Sequence, residues 1–344
     1  MTAKNVSRDS DVGTVSESPV TTGNSTASSD TAATVILYPE TEVSGIADSL
    51  RSLELQTLGP ESLQILVCAA EYEADDRELA GALVPFSSHS AVIPADSEKR
   101  VEQLNAALSK TRGRYVTWLA AGDWFPQTYL SDMFELADST GAEICVANHL
   151  EVDGFRRVLK YAPLGRRRTA IAGRSLIPPV EYSTLVDQLA PKLTFASTRA
   201  IRSARLAFDE QLETGYVSLW AWQVLLAGLT VTTDDFPGPC VRAENGVRPR
   251  ITDRDMVLLC RSVLEYSDTM ILSERAKALR LAFDWVLRMS SDDRSIDQQT
   301  RAELRNRIRG FSTDTQAAAL LSLKEDPRKT IAEFIGAGTQ SWPR

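Results

Sequence analysis

A chain of 344 residues, 43% hydrophobic and 24% charged, is long enough to bury a sizeable core, as one large domain or as a domain plus an appendage. Its formal net charge of -8 gives no positive field to displace counterions from phosphates, which excludes a general nucleic-acid binder. No uninterrupted apolar stretch approaches the roughly 18 residues that cross a bilayer, so no transmembrane segment is expected.

Residues 1–33 are rich in Ser, Thr, Asp and Gly and carry hardly any apolar periodicity, so they are expected to form a disordered N-terminal tail. The opening MTAKNVSRDSDVGTVSESP lacks the apolar run behind a basic tip that marks a secretory signal. The expected compartment is the cytoplasm, extending to the inner face of the membrane.

From Thr34 short apolar runs alternate with amphipathic stretches. TVILY (34–38), QILVCA (64–69), AVI (91–93), RYVTWL (114–119) and EICVA (143–147) read as buried strands. Between them Ile46, Leu50 and Leu53 recur at helical spacing, as do Val101, Leu104 and Leu108, then Leu130, Phe134 and Ala137. Strands separated by helices cannot pair through tight hairpins, so the fold class is α/β, with a mostly parallel sheet and helices on both faces. Ligands on such sheets bind beyond the carboxyl ends of the strands. The loops after Tyr38, Ala69, Ile93 and Leu119 are therefore the places to search.

Residues 155–250 mix the basic segment GRRR (165–168) with proline-rich turns and an aromatic helix carrying Trp220 and Trp222. Residues two apart do not share a helix face, so at least one of these indoles is expected to be partly exposed. Residues 251–344 read as a C-terminal helical region, with Asp253, Ser273 and Ser295 as N-caps. Its apolar positions Leu279, Phe283 and Val286 suit either packing onto the parent domain or a homo-oligomer face.

Cys68, Cys145, Cys240 and Cys260 are far apart without CxxC spacing and read as small buried hydrophobes. His89 and His149 are the only histidines, which excludes a histidine-rich metal site and a Ser-His-Asp triad.

The order of features from 34 to 250 resembles glycosyltransferase family 2, enzymes of the Rossmann-like GT-A fold. VILYPE, ending in Pro39, resembles the family's opening strand–proline turn, and SLELQT (52–57) its Ser-Leu-x-x-Gln-Thr element. Asn105 and the Gly113-Arg114-Tyr115 turn look like the family's Asn-containing helix and the strand that follows it. LAAGDWFPQTYL (119–130) stands where the family has Leu-Asp-x-Asp-Asp, and PKLTFASTRAIRSARLAFDE (191–210) resembles its acceptor-side segment.

The resemblance implies a nucleotide-sugar donor, a divalent ion (Mg or Mn) and a carboxylate base, and the chain departs from the family at each. Ala69 and Ala70 stand where an Asp holds the base. Ala120-Ala121-Gly122 stands at the Asp-x-Asp motif, leaving Asp123 as a single exposed carboxylate to touch a ribose or a metal ion. The Glu-Asp pair opening the base helix is replaced in ETGYVSLWAW, where Glu213 is either the catalytic base or a first-turn acid complementing the helix dipole. Asp123 has an ordinary turn role as its other reading.

Arg242, Arg248 and Arg250, in VRAENGVRPR, suit either a diphosphate or solvated loop positions. Arg166, Arg167 and Arg168 suit an anionic acceptor or, more commonly, a solvated loop. Trp118 reads as core and Trp124 as a stacking candidate. Asp234 and Asp235 on extended chain point apart and read chiefly as a turn.

Two functions follow. One is transfer of a sugar from a nucleotide-sugar donor to a cell-envelope or polysaccharide, polymer or lipid-linked acceptor, with eroded metal and base motifs. The other is an inactive binding or scaffolding module that partners an active transferase.

Overall fold

A computed structural model describes residues 31–39, 45–70, 77–86, 89–95, 100–153, 155–162, 167–172, 189–212 and 216–242. Residues 1–30 of the expected 1–33 tail and the C-terminal helical region 251–344, with its caps, its oligomer face and Cys260, lie outside the described residues, whereas Ala33 is buried and opens the first strand rather than ending a disordered tail.

The chain begins β1 (Ala33–Tyr38), α1 (Ile46–Glu54), β2 (Leu63–Ala70), α2 (Arg77–Ala82), β3 (Ser90–Ala95), α3 (Arg100–Ser109), β4 (Tyr115–Ala120), α4 (Tyr129–Thr140) and β5 (Ile144–Ala147). Three further strands follow, β6 (His149–Val152), β7 (Val158–Ala162) and β8 (Arg167–Ala172). The described part ends with β9 (Thr194–Ser197), helices α5 (Thr198–Ala204) and α6 (Tyr216–Ala227), β10 (Thr230–Asp234) and β11 (Cys240–Arg242).

Eight strands form one sheet in the order β3-β2-β1-β4-β9-β5-β10-β8. The β1–β2, β1–β4, β2–β3 and β5–β10 pairs are parallel, whereas β9 runs antiparallel to both β4 and β5 and β8 antiparallel to β10. The sheet is thus mostly parallel, as the alternation of strands and helices predicts.

Alternation along β1 distributes its side chains between two cores. Ile36 and Tyr38 join α3, α5 and α6 through Leu104, Leu108, Ile201 and Trp220. Val35 and Leu37 join α1, α2 and α4 through Leu50, Leu53, Leu79 and Met133. Both faces of the central strands are covered, which is why these strands read as continuous apolar runs.

The expectation that Trp220 or Trp222 would be partly exposed is overturned, since both are fully buried. A helix enclosed on every side shows no polar face, and α6 is such a helix. Trp220 meets Trp118 edge-on with ring centroids 5.0 Å apart and stacks on Phe208 at 4.9 Å. Cys68, Cys145 and Cys240 are buried as expected, and burial pushes the Cys68 and Cys145 thiols up to about 12.

A second sheet of three strands, β11-β6-β7, stands beside the end of β4. It is tied to the main domain where Trp124 exchanges backbone hydrogen bonds with Cys240, at 3.1 and 2.9 Å. Among the described residues, no helix is long and apolar enough to cross a membrane.

Candidate functional site

The parallel strands β1, β2 and β4 finish on one edge of the sheet, and the turn Ala121-Gly122-Asp123-Trp124 leaves β4 there. The turn is held by α1. Ser49, Ser52 and Gln56, three and four residues apart, share one helix face. Ser49 Oγ donates to the Asp123 carbonyl at 2.7 Å and accepts the Gly122 N–H at 2.9 Å. Ser52 Oγ accepts from the Phe125 N–H at 3.3 Å. Gln56 Nε2 donates to the Pro126 carbonyl at 2.8 Å, while Gln56 Oε1 accepts the Leu130 N–H at 3.1 Å at the start of α4. The SLELQT element therefore acts here as a clamp on the loop that follows β4.

Two glycines bring backbone to backbone at this loop. Gly45 and Gly122 have φ of 108° and 87°, a left-handed region that other residues rarely enter. A Cβ on Gly45 would stand 2.7 Å from Gly122 Cα, and one on Gly122 would stand 3.1 Å from Arg242 Cζ. The Arg242 side chain thus lies against the glycine within the turn.

Asp123, expected as an exposed carboxylate, is only 1% exposed. Its Oδ1 accepts the backbone N–H of Arg242 at 2.8 Å, because β11 pairs across Trp124 and closes over the turn. No three His, Cys, Asp or Glu side chains are gathered as metal ligands among the described residues. With alanine at 120 and 121 and Asp123 hydrogen-bonded to a backbone amide, this turn does not fit a divalent ion, which takes several oxygens.

The charges that do meet here come from three places in the sequence. Arg242 approaches Asp48 Oδ2 to 3.2 Å from β11, and Arg156 reaches the same oxygen at 3.5 Å from the turn between β6 and β7. The Arg156 guanidinium also lies over the Trp124 ring, 5.2 Å from its centroid. Arg156 adopts φ of 61° in a turn organised by Asp153, whose Oδ1 accepts the Arg157 and Phe155 N–H groups at 2.8 and 2.9 Å. The Arg157 N–H is the foremost of several contacts that hold the Asp153 carboxyl below the usual range.

The other sequence candidates divide as follows. Pro39 directly follows β1 and is half-buried. At the carboxyl end of β2, Gln103 of α3 donates to the Ala69 carbonyl at 2.8 Å and to the Ile93 carbonyl at 2.5 Å, so the ends of β2 and β3 are locked from behind. Glu213, Arg248, Arg250 and Arg166 lie outside the described residues. Asp48 and Arg156 escaped the sequence reading, since neither belongs to a periodic pattern or motif; the one signal was a pair of arginines beside an Asp-Gly turn.

Asp234, read as part of a turn, belongs to β10 and is buried, with Arg168 Nε donating to its Oδ2 at 2.6 Å. Arg168 belongs to β8 rather than to a solvated loop. Asp235, just past β10, is exposed, and its backbone N–H donates to Asp234 Oδ1 at 2.8 Å, so the two neighbours stay in contact rather than pointing apart. At the opposite edge of the sheet, Arg114, Glu143 and Arg199 are among the residues lining a cleft of about 800 Å³. It lies at the amino ends of β4 and β5, away from the turn after β4.

The sequence model described as "Glycosyl transferase family 2" matches residues 35–198. No curated protein matches the chain in sequence. Among solved structures, S. aureus TarS 1-349 is similar, with a TM-score of 0.63 at 13% identity over 91% of this chain and 93% of that one. Its complex with UDP gives a TM-score of 0.65 at 14% identity over 91% and 93%, and its complex with UDP-GlcNAc 0.56 at 14% over 90% and 92%. At such identity the likeness speaks for the fold.

Proposed function

Because residues 35–198 match the family model described as "Glycosyl transferase family 2", we propose that this chain binds a nucleotide-sugar donor beyond the ends of β1, β2 and β4 and transfers its sugar to a cell-envelope or polysaccharide acceptor. The observation that carries this reading is the Arg242 guanidinium lying against Gly122, at the strand end where ligands bind on such sheets. The complexes of the similar S. aureus protein with UDP and UDP-GlcNAc support a uridine diphosphate sugar as the donor class.

In the transfer, the acceptor hydroxyl oxygen attacks the anomeric carbon as the bond to the diphosphate oxygen breaks. The hydroxyl proton passes to a carboxylate, for which Glu213, just before α6, is the proposed base. The departing diphosphate gains negative charge, and a fixed cation beside it lowers the barrier.

The test is thermal stabilisation by a panel of UDP-sugars, followed by release of UDP with an acceptor polymer. A donor that binds only the folded chain raises the melting temperature. Glu213→Gln is expected to keep that rise and to lose UDP release.

The absence of carboxylates at 69–70 and 120–122, together with the burial of Asp123, favours a second reading. On that reading the domain binds or scaffolds and leaves turnover to a partner transferase. It predicts no UDP release with any donor, and a chain whose melting temperature moves with a partner rather than with a nucleotide sugar.

A further inference from the structure

Arg156 and Arg242 point their guanidinium groups at the same carboxylate oxygen, Asp48 Oδ2, at 3.5 and 3.2 Å. Arg242 comes from β11 and Arg156 from the turn between β6 and β7, and Asp48 comes from the first turn of α1. Two cations converging on one oxygen exceed what a single carboxylate neutralises, so the trio carries one net positive charge. Asp48 and Arg156 are about half exposed or more, with side-chain exposures of 46% and 61%, so the ion pairs are screened and readily exchanged. Gly122 lets the Arg242 side chain lie flat on the turn after β4, and the Trp124 ring backs the Arg156 guanidinium.

Resting on the donor reading above, we infer that Arg156 and Arg242 hold the donor's diphosphate without a divalent ion, and that Asp48 occupies the anion's place when no donor is bound. Guanidinium forks match phosphate oxygens and supply charge where this turn offers no ligand set for a metal. On donor entry the diphosphate oxygens replace Asp48 Oδ2 on both arginines. Asp48 is then a competitor of the ligand, and its loss strengthens binding.

The experiment is calorimetric titration of UDP into the full-length chain, with EDTA and again with excess Mn. Equal affinity in both conditions is expected. Arg242→Ala and Arg156→Ala are each expected to weaken UDP binding about tenfold or more. Asp48→Asn is expected to tighten it several-fold, an effect that unfolding of a variant cannot produce. UDP binding that disappears in EDTA and returns with Mn overturns the metal-free inference and leaves the donor reading standing. Wild-type chain that binds neither UDP nor UDP-sugars in either condition overturns the donor reading itself, and an Asp48→Asn variant that binds more weakly overturns the competitor role.

Discussion

The backbone N–H of Arg242 donates to Oδ1 of Asp123 at 2.8 Å, joining the turn after β4 to a strand 119 residues further along. The carboxylate is buried, so the bond is shielded from water and fixes where β11, and with it the Arg242 side chain, lies. Asp123→Ala leaves a buried amide without its acceptor and is expected to cost about 1–3 kcal/mol of stability. UDP affinity should fall with it, because Arg242 loses its anchor. Asp123→Asn keeps an oxygen in place and should retain most of both quantities. Urea denaturation and UDP titration of the two variants check this; an Asn variant that binds UDP normally yet transfers no sugar would give Asp123 a direct part in the chemistry.

Gly45 and Gly122 are coupled by contact. Alanine at Gly45 meets both an unfavourable φ of 108° and a backbone atom 2.7 Å away, so it is expected to destabilise by about 2 kcal/mol or more. Alanine at Gly122 also meets an unfavourable φ, of 87°, but the group its Cβ approaches is the Arg242 guanidinium, a flexible group that can swing aside, rather than backbone. Gly122→Ala should therefore lose UDP affinity out of proportion to its loss of melting temperature. Gly45→Ala should lose stability first. Parallel loss of both properties in both variants would contradict this division.

Gln56 uses both ends of its amide on the same loop, donating to the Pro126 carbonyl and accepting from the Leu130 N–H. Removing it leaves buried backbone groups unpaired at the start of α4. Gln56→Ala is expected to cost about 1–3 kcal/mol by chemical denaturation. Gln56→Glu keeps an acceptor for the Leu130 N–H but presents an oxygen to the Pro126 carbonyl, so it should fall between wild type and alanine at neutral pH.

The parts of the fold legible in the sequence are those whose physics is local. β1, β2, β4 and β5 are buried on both faces, so their apolar runs announced them, and the alternation with helices implied the parallel sheet. The SLELQT element was legible by resemblance, and the structure gives its physical reason in the hydrogen bonds of Ser52 and Gln56. The second sheet was not legible: β11 has three residues and β7 exposes Val158 and Leu159, so neither carries a period to detect. The charge cluster was illegible for a stronger reason. Arg242 and Asp48 are 194 residues apart, and no local pattern encodes their meeting. Burial of Asp123 and Trp222 likewise depends on what packs over them.

The Arg168–Asp234 pair, on β8 and on β10, the latter three strands along the sheet from β4, supplies a pH dependence of its own. Burial pushes the Asp234 carboxyl up, but the Asp235 N–H, the Arg168 guanidinium and a hydrogen bond with the Asp235 side chain together outweigh it, and the net displacement is downward from the usual 3.8. A carboxylate with a lowered folded value contributes stability that is fully present above the unfolded value. That stability is lost as pH falls below about 3.8 toward the folded value, where the unfolded chain binds the proton first. Asp234→Asn should therefore be less stable than wild type at pH 6 and should narrow that gap as the pH falls below 4. Arg168→Ala leaves the buried carboxylate with the Asp235 N–H and should cost toward the low end of about 1–3 kcal/mol, because the guanidinium is half exposed and screened. Urea denaturation of the three proteins across pH 3 to 7 measures both effects, and a gap between wild type and Asp234→Asn that stays constant over that range would show that Asp234 titrates alike in the folded and unfolded chains.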